Sequence, residues 1–369
     1  MRQAAVRELR LFNFRNWREE KIEPSLGLNL LLGDNGQGKT NLLEAISILG
    51  LSRSLRANTE AELIGPCGDQ AQVAATCDGA TRELEVAVRW RLSQGRLSKA
   101  IIVDGRRRAP LALPGELPVV GFWPHDLDLV RSGPEARRRL LDVALVQLSR
   151  TYTADLTHYR RALLQRNQLL RRVSAALEPA SSLDPWDAQL VDCGQRIWEE
   201  RALLCSDLGP LARAEYGPLS PSSGETLEIS YHRQEGSLEA AMASRRSLDL
   251  SRGVTTAGPH RDDVLISIEG KPARSYASQG QQRSAAVALR LAERALILER
   301  TGVIPVLILD DVLSELDDRR RQGLMERVAG QGQIWVTAAS LQLLPALAAL
   351  GERMLWRVEH GTAALAQAG

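Results

Sequence analysis

The sequence predicts an α/β fold built around a phosphate-binding loop and interrupted by a mostly helical second lobe. Three observations carry this expectation. The glycine-rich stretch Gly33-Asp34-Asn35-Gly36-Gln37-Gly38-Lys39-Thr40 stands between a short apolar run and a helical pattern. Far downstream, a second apolar run over 306–309 ends in the paired acids Asp310 and Asp311. Between the two, residues 121–277 read mainly as helix, so the chain divides into an N-terminal core part (1–120), an inserted lobe (121–277) and a C-terminal core part (278–369).

The N-terminal part opens with alternation. Leu9 and Leu11 flank Arg10, and Phe12 and Phe14 flank Asn13, the spacing of a half-buried strand with one slip of phase. Residues 28–32 form a short buried strand that ends at Gly33, and 41–51 carry Leu, Ile and Ala at helical spacing. Strands are predicted over 72–77, 84–91 and 100–103, with turn signals at Asp78-Gly79 and Asp104-Gly105. Residues 106–120, rich in Arg, Pro and Leu, mark a boundary.

Beyond it, apolar residues from Tyr152 to Leu177 fall in steps of three and four, a near-heptad seam broken by Arg166. Asp184 followed by Pro185 starts a second helix, with Leu190, Ile197 and Leu204 seven apart. Two such helices joined by a short Pro-Ser loop predict a short antiparallel coiled-coil hairpin, with an ordinary pair of domain helices as the alternative. Residues 217–275 are rich in Gly, Pro and Ser, with strands expected at 227–231 and 264–268. The C-terminal part then gives a helix over 282–300, the strand 306–309, a further helix and a strand over 334–336.

The loop at 33–40 fits G-x-x-x-x-G-K-[ST] between a strand and a helix. Backbone N–H groups of Gly33, Asp34, Asn35, Gly36, Gln37 and Gly38 can then turn inward around a phosphate, which needs glycine wherever a side chain would block the approach. Lys39 supplies a point charge for the β- and γ-phosphates, Thr40 a hydroxyl for Mg²⁺, and the helix N-terminus a partial positive charge. A carboxylate at the C-terminal end of a neighbouring strand is where such sites hold the metal. This assigns Asp310 to Mg²⁺, directly or through water, and Asp311 to orienting or deprotonating the attacking water. ATP and Mg²⁺ are the expected ligands, although paired acids after a strand can also cap a helix.

The order of motifs narrows the class. Phosphate loop, long helical insertion, Ser278-Gln279-Gly280-Gln281-Gln282, acid strand and Ser314-Glu315-Leu316-Asp317 together resemble the head of the ABC-type ATPases. That resemblance implies that Ser278, Gly280 and Gln281 cap a helix facing the γ-phosphate held by a second subunit. Leu11-Phe12-Asn13-Phe14-Arg15-Asn16, ahead of Thr40-Asn41, looks like the SMC-related DNA repair ATPases. Pro124-His125-Asp126, the stretch Gly133-Pro134-Glu135-Ala136-Arg137-Arg138 with Leu141-Asp142, and Thr255-Thr256-Ala257-Gly258-Pro259-His260-Arg261-Asp262-Asp263 resemble signatures of the RecF family of bacterial recombination mediators.

The family resemblance implies an ATP-driven homodimer that binds DNA and is released by weak, DNA-stimulated hydrolysis used as a switch. It also implies work with RecO and RecR at single-strand gaps, promoting RecA loading and the SOS response. An ABC-type ATPase energising another machine, such as a transporter, is the alternative. Departures are visible too: Asp311 stands where transport ATPases have glutamate, Thr337 where they have histidine, and His125 where the family usually has an acid. No clear glutamine loop is evident. The first two changes predict slow hydrolysis.

Composition agrees with this frame. The chain has 369 residues, 44% hydrophobic and 25% charged, and a net charge of +2, which excludes disordered, fibrous and disulfide-scaffold classes. No run approaches the ~18 apolar residues of a membrane span, and no secretory signal opens the chain, so no membrane partner is expected. The spacing of Cys67, Cys77, Cys193 and Cys205 suggests neither a metal site nor a disulfide framework, pointing to the cytoplasm. Residues 131–172 hold ten arginines against three acids. Arg137, Arg138, Arg139, Arg160 and Arg161 are therefore candidate contacts to DNA phosphates, with a solvated helix face, a folding role or a dimer contact as alternatives. No basic stretch is interleaved with aromatic residues for base stacking, which favours contact with duplex or gap-junction backbone, with single-stranded DNA as the alternative. His260 is assigned to turn chemistry.

Overall fold

The computed structural model describes residues 2–220, 224–338 and 353–368. They form two compact units: residues 1–128, 214–225 and 278–369, and residues 129–213 and 226–277. The first unit extends past the boundary expected at 120 because the strand Val119–Phe122 pairs in parallel with Val306–Leu309 inside its sheet. Four residues between Pro118 and the turn at Pro124 are too short a run to announce a strand in the sequence.

A six-stranded sheet carries the chemistry of the first unit. Its order is Thr362–Ala368, Arg353–Glu359, Leu28–Leu32, Ile334–Ala338, Val306–Leu309, Val119–Phe122. All neighbours are parallel except the hairpin formed by the first two. This puts the strand ends bearing Gly33, Asp310 and Thr337 side by side. The order of the second sheet is Trp17–Ile22, Ala5–Phe14, Gln70–Asp78, Glu83–Ser93, Arg96–Val103, Arg106–Arg108, antiparallel throughout. The helix Lys39–Leu51 is buried nearly all round, with Leu42, Leu43, Ile46 and Leu49 in the core that both sheets line. This explains its lack of a polar stripe, since a helix covered on every side must be apolar on every side.

The second unit contains the helices Pro134–Leu148, Arg150–Ser174, Leu238–Arg252 and Ala273–Tyr276, most of Asp184–Leu219, and a three-stranded sheet. The antiparallel hairpin is present: Asp155 meets Arg196, Arg166 meets Asp187, and Tyr152 meets Arg201. It is not free-standing. Arg246, on the helix Leu238–Arg252, reaches Asp184 and Asp187. Arg166, at the break in the seam, is fully buried and pairs with Asp187 and Asp249.

The helix Leu238–Arg252 departs from expectation, since it lies inside the stretch that reads as Gly-, Pro- and Ser-rich. Ser237 caps it by accepting the Ala240 N–H at 3.2 Å, and Gly253 ends it at φ 64°. Among the described residues, no helix is long and apolar enough to cross a membrane.

Candidate functional site

The strand Leu28–Leu32 feeds the loop and the helix Lys39–Leu51 leaves it. Gly33 and Gly38 have φ of 155° and 116°, where L side chains are strained. Space forbids a side chain as well: a Cβ on Gly33 would lie 2.2 Å from the Val358 carbonyl oxygen, and one on Gly38 would lie 2.6 Å from Asn16 Nδ2. Residues 34–41 line a cavity of about 210 Å³, closed on its other side by Arg56, Asp310, Asp311 and Thr337. Lys39 Nζ donates to the carbonyl oxygens of Gly33 and Asp34.

Asp310 accepts from Thr40 Oγ1 at 3.0 Å and from Thr337 Oγ1 at 2.9 Å. Thr337 Oγ1 also accepts the Asp311 N–H at 2.7 Å. Asp311 sits in the left-handed region at φ 53°, which Asp tolerates better than most residues, and its Oδ1 accepts from Ser314 Oγ at 2.9 Å.

Burial pushes the Asp310 carboxyl up, offset by the hydrogen bonds from Thr337 and Thr40. Burial pushes the Lys39 ammonium down, against the pull of Asp311, Asp310 and Asp34. A hydroxyl and a carboxylate 3.0 Å apart are hard oxygen donors of the kind Mg²⁺ takes. The glycine cradle with its lysine suits a phosphate chain. The residues present fit both groups.

Several residues that build the site went unassigned in the sequence. Asn16 Nδ2 donates to the Gln37 carbonyl oxygen at 2.9 Å, and its Oδ1 accepts from Asn41 at 2.9 Å, bracing loop and helix together. Arg15 forms a two-pronged pair with the buried Glu44, both bonds at 3.0 Å. Glu44 also holds Ser54 and Arg56. The F-R-N motif is therefore a brace that fixes the phosphate-loop helix and, through Glu44, aims a second cation at the cavity. The motif itself was the available signal, but it names no partner.

Ser278 caps the helix Gln279–Thr301 reciprocally with Gln281: its Oγ accepts Gln281 N–H at 3.2 Å, and Gln281 Oε1 accepts Ser278 N–H at 2.8 Å. Gly280 lies against Arg320, whose Nη2 would be 2.5 Å from an added Cβ. Ser278, Gly280 and Gln281 do not line the phosphate-loop cavity. On the same helix, Arg290 pairs at 2.7 Å with Asp126, which also accepts the Trp123 N–H. The Pro124-His125-Asp126 motif thus closes a turn and anchors the helix.

In the second unit, one of the candidate DNA contacts is corrected. Arg137 is buried, holds Asp263 with two bonds of 2.7 and 2.9 Å, and donates to the Ser132 carbonyl oxygen at 2.7 Å. Its charge is used internally, so it is a folding residue. Arg138 is half-buried and donates to the Asp262 carbonyl oxygen at 2.5 Å, while Arg139 is half-buried. Arg160 is exposed and pairs with Asp142, and Arg161 is exposed. His260 Nδ1 accepts from the Tyr159 hydroxyl at 2.7 Å while Nε2 donates to the Thr255 carbonyl oxygen at 3.1 Å. The stretch 255–263 is therefore a largely buried latch, exposed at Arg261, that ties Asp249, Tyr159 and Arg137 together.

Known proteins share both the sequence and the fold. Residues 5–350 match the family model described as RecF/RecN/SMC N terminal domain. The chain is 37% identical over 360 residues to the DNA replication and repair protein RecF of Moorella thermoacetica, covering 97% of this chain and 95% of that one. It is 40% identical over 354 residues to the RecF of Gloeobacter violaceus, covering 92% of each. It is similar to the structure of the recombination mediator protein RecF-ATPrS in the RecFOR pathway, with a TM-score of 0.90, 30% identity and 99% of both chains covered. It also shares the fold of an Smc head domain from Pyrococcus furiosus, with a TM-score of 0.56, 17% identity, and 98% of this chain and 96% of that one covered.

Proposed function

This chain belongs to the RecF family of DNA replication and repair proteins, within the RecF/RecN/SMC group of ABC-type ATPase heads, and we propose that it is an ATP-gated DNA clamp. The loop 33–40 wraps the phosphate chain with backbone N–H groups, and Lys39 and Arg56 set positive charge against it. Thr40 and Asp310 would hold Mg²⁺, which would supply neutralisation of phosphate charge. Asp311, oriented by Ser314, takes a proton from the attacking water. With an Asp there and Thr337 in place of a histidine, hydrolysis is slow and timed as a switch.

The observation that carries the reading is the separation of Ser278 from the phosphate-loop cavity. Ser278 is exposed at a capped helix N-terminus, and none of its motif lines the cavity of its own chain. A helix N-terminus with a hydroxyl is an anion site awaiting a ligand from outside. A second copy, turned head to tail, supplies that ligand as the γ-phosphate of its own ATP. Nucleotide then links the two copies, and the dimer holds DNA through arginines such as Arg138, Arg139, Arg160 and Arg161.

The placement of a similar solved structure in the RecFOR pathway supports cytoplasmic work with RecO and RecR at gapped DNA. There it promotes RecA loading and the SOS response. It also favours this reading over a transport ATPase.

Sedimentation with a non-hydrolysable ATP analogue tests the shared site. Lys39→Ala should lose both nucleotide binding and dimers, whereas Ser278→Arg should keep nucleotide binding and lose dimers. A Ser278→Arg protein that still dimerises overturns the proposal.

A further inference from the structure

Register, rather than sequence, decides what stands on the outer face of the antiparallel sheet. Phe12 pairs across to Gln72, Gln72 to Arg89, and Arg89 to Ala100, one row crossing four strands. Two residues along, Gln70, Arg91 and Ser98 form the next row. On the last strand, Arg107 faces Ile102. Side chains alternate faces with a period of two, so these residues share one face. The row between these two carries Ala71 and Trp90, and the row on the far side of the first carries Leu11, Val73, Val88 and Ile101; all six are buried in the core on the opposite face.

Phe12 is 48% exposed and, with Gln72, Arg89, Arg91, Ser98 and Arg107, lines a groove of about 400 Å³. Among the described residues, no carboxylate lines it. Arg89 Nε donates to Gln72 Oε1 at 2.5 Å, which ties the guanidinium to the neighbouring strand. By contrast, Arg7, Arg15, Arg56 and Arg82 of this unit each hold a carboxylate. Here three guanidiniums share a groove without an acid, beside a bare aromatic ring. The ligand that answers both features is a polyanion with flat apolar faces. A duplex offers only phosphates to this surface and leaves the ring unused, whereas an unpaired strand offers phosphates and bases together.

Resting on the DNA-binding reading above, we propose that this sheet face binds single-stranded DNA. A base stacks on Phe12, and successive phosphates meet Arg89, Arg91 and Arg107. A protein made for gaps would then hold the unpaired strand at a place distinct from its phosphate-loop cavity.

Anisotropy titrations of the full chain with ATP test this, using a fluorescein-labelled oligothymidylate and a blunt duplex of equal length. Phe12→Ala should weaken oligothymidylate binding about tenfold and change duplex affinity less than twofold. Arg91→Ala should make the salt dependence for oligothymidylate shallower by about 0.7 for each phosphate it no longer neutralises. Unchanged oligothymidylate binding by Phe12→Ala and by Arg89→Glu overturns the proposal, as does an equal loss on both DNAs. A parent protein that binds duplex but not oligothymidylate overturns the proposal and leaves the clamp intact; one that binds neither overturns the DNA reading itself. Iododeoxyuridine cross-linking, mapped by mass spectrometry, should label Phe12; labelling confined to the second unit counts against the site.

Discussion

Thr337 and Asp310 share a hydrogen bond of 2.9 Å, and the same threonine oxygen accepts the Asp311 N–H at 2.7 Å. One hydroxyl therefore sets the carboxylate assigned to the metal and the backbone of the acid assigned to the water. Thr337→Val removes a donor from a buried carboxylate and an acceptor from a part-buried N–H. An orphaned group of this kind costs about 1–3 kcal/mol. The variant should be less stable by that amount in urea and should need more Mg²⁺ for ATP binding, and Thr337→Ser should restore both. Parent-like Mg²⁺ dependence in the valine variant would remove Thr337 from the site.

Glu44 is the common anchor of Arg15, Ser54 and Arg56, and it is almost wholly buried. Glu44→Ala leaves Arg15 with only the longer 3.8 Å pair to Glu62 and takes the carboxylate from Arg56, which lines the phosphate cavity. Breaking such a pair from one side costs about 3 kcal/mol or more. The expected outcome is a lower denaturation midpoint together with weaker ATP binding. Arg15→Ala should reproduce the stability loss with a smaller effect on ATP, because Arg56 keeps its partner.

The contrast between these residues and the phosphate loop explains what the sequence could reveal. Gly33, Gly38, Lys39, Thr40 and Asp310 were legible because phosphate and metal chemistry demand those residue types at that spacing. Glu44 was not, since a glutamate on a helix acquires meaning only from what folds beside it, and Thr337 was legible only as a departure from histidine, its bonds to Asp310 and Asp311 coming from the fold. Arg137 is ambiguous in the sequence for a related reason: a guanidinium suits a carboxylate as well as a phosphate, and only burial against Asp263 selects the folding role over the DNA contact. The core strands at 28–32 and 306–309 stood out as apolar runs. The strand Val119–Phe122 and the helix Leu238–Arg252 were hidden, one by its shortness and the other by interspersed arginines and serines. The outer face of the antiparallel sheet could not be read at all, because its members come together only through register.

Arg137 and Arg161 should behave as opposites. Arg137→Ala strands Asp263 and frees the carbonyl of Ser132, so the second unit should lose about 3–5 kcal/mol. Arg161 is exposed, and Arg161→Ala should leave stability unchanged while making the salt dependence of duplex binding shallower by about 0.9, the share of one neutralised phosphate. Denaturation and a salt series on the same two proteins decide the matter. An unaltered salt slope in Arg161→Ala would take that residue out of the DNA surface.

His260 gives the second unit a pH dependence of definite sign. Burial pushes the imidazole down to about 4, although its bond to the Thr255 carbonyl pulls the other way. The unfolded chain takes up the proton near the ordinary value of about 6.5, so between there and about 4 the unfolded state binds more protons than the folded one. The stabilisation is complete above about 6.5 and is lost as pH falls toward 4, up to about 3 kcal/mol. Hydrogen exchange in the helix Arg150–Ser174, corrected for its intrinsic pH dependence, should accelerate over that window in the parent. His260→Asn, which cannot take up a proton there, should be less protected at neutral pH and should show a flatter profile. A parent and variant with parallel pH profiles would mean that the imidazole is not held neutral by the fold.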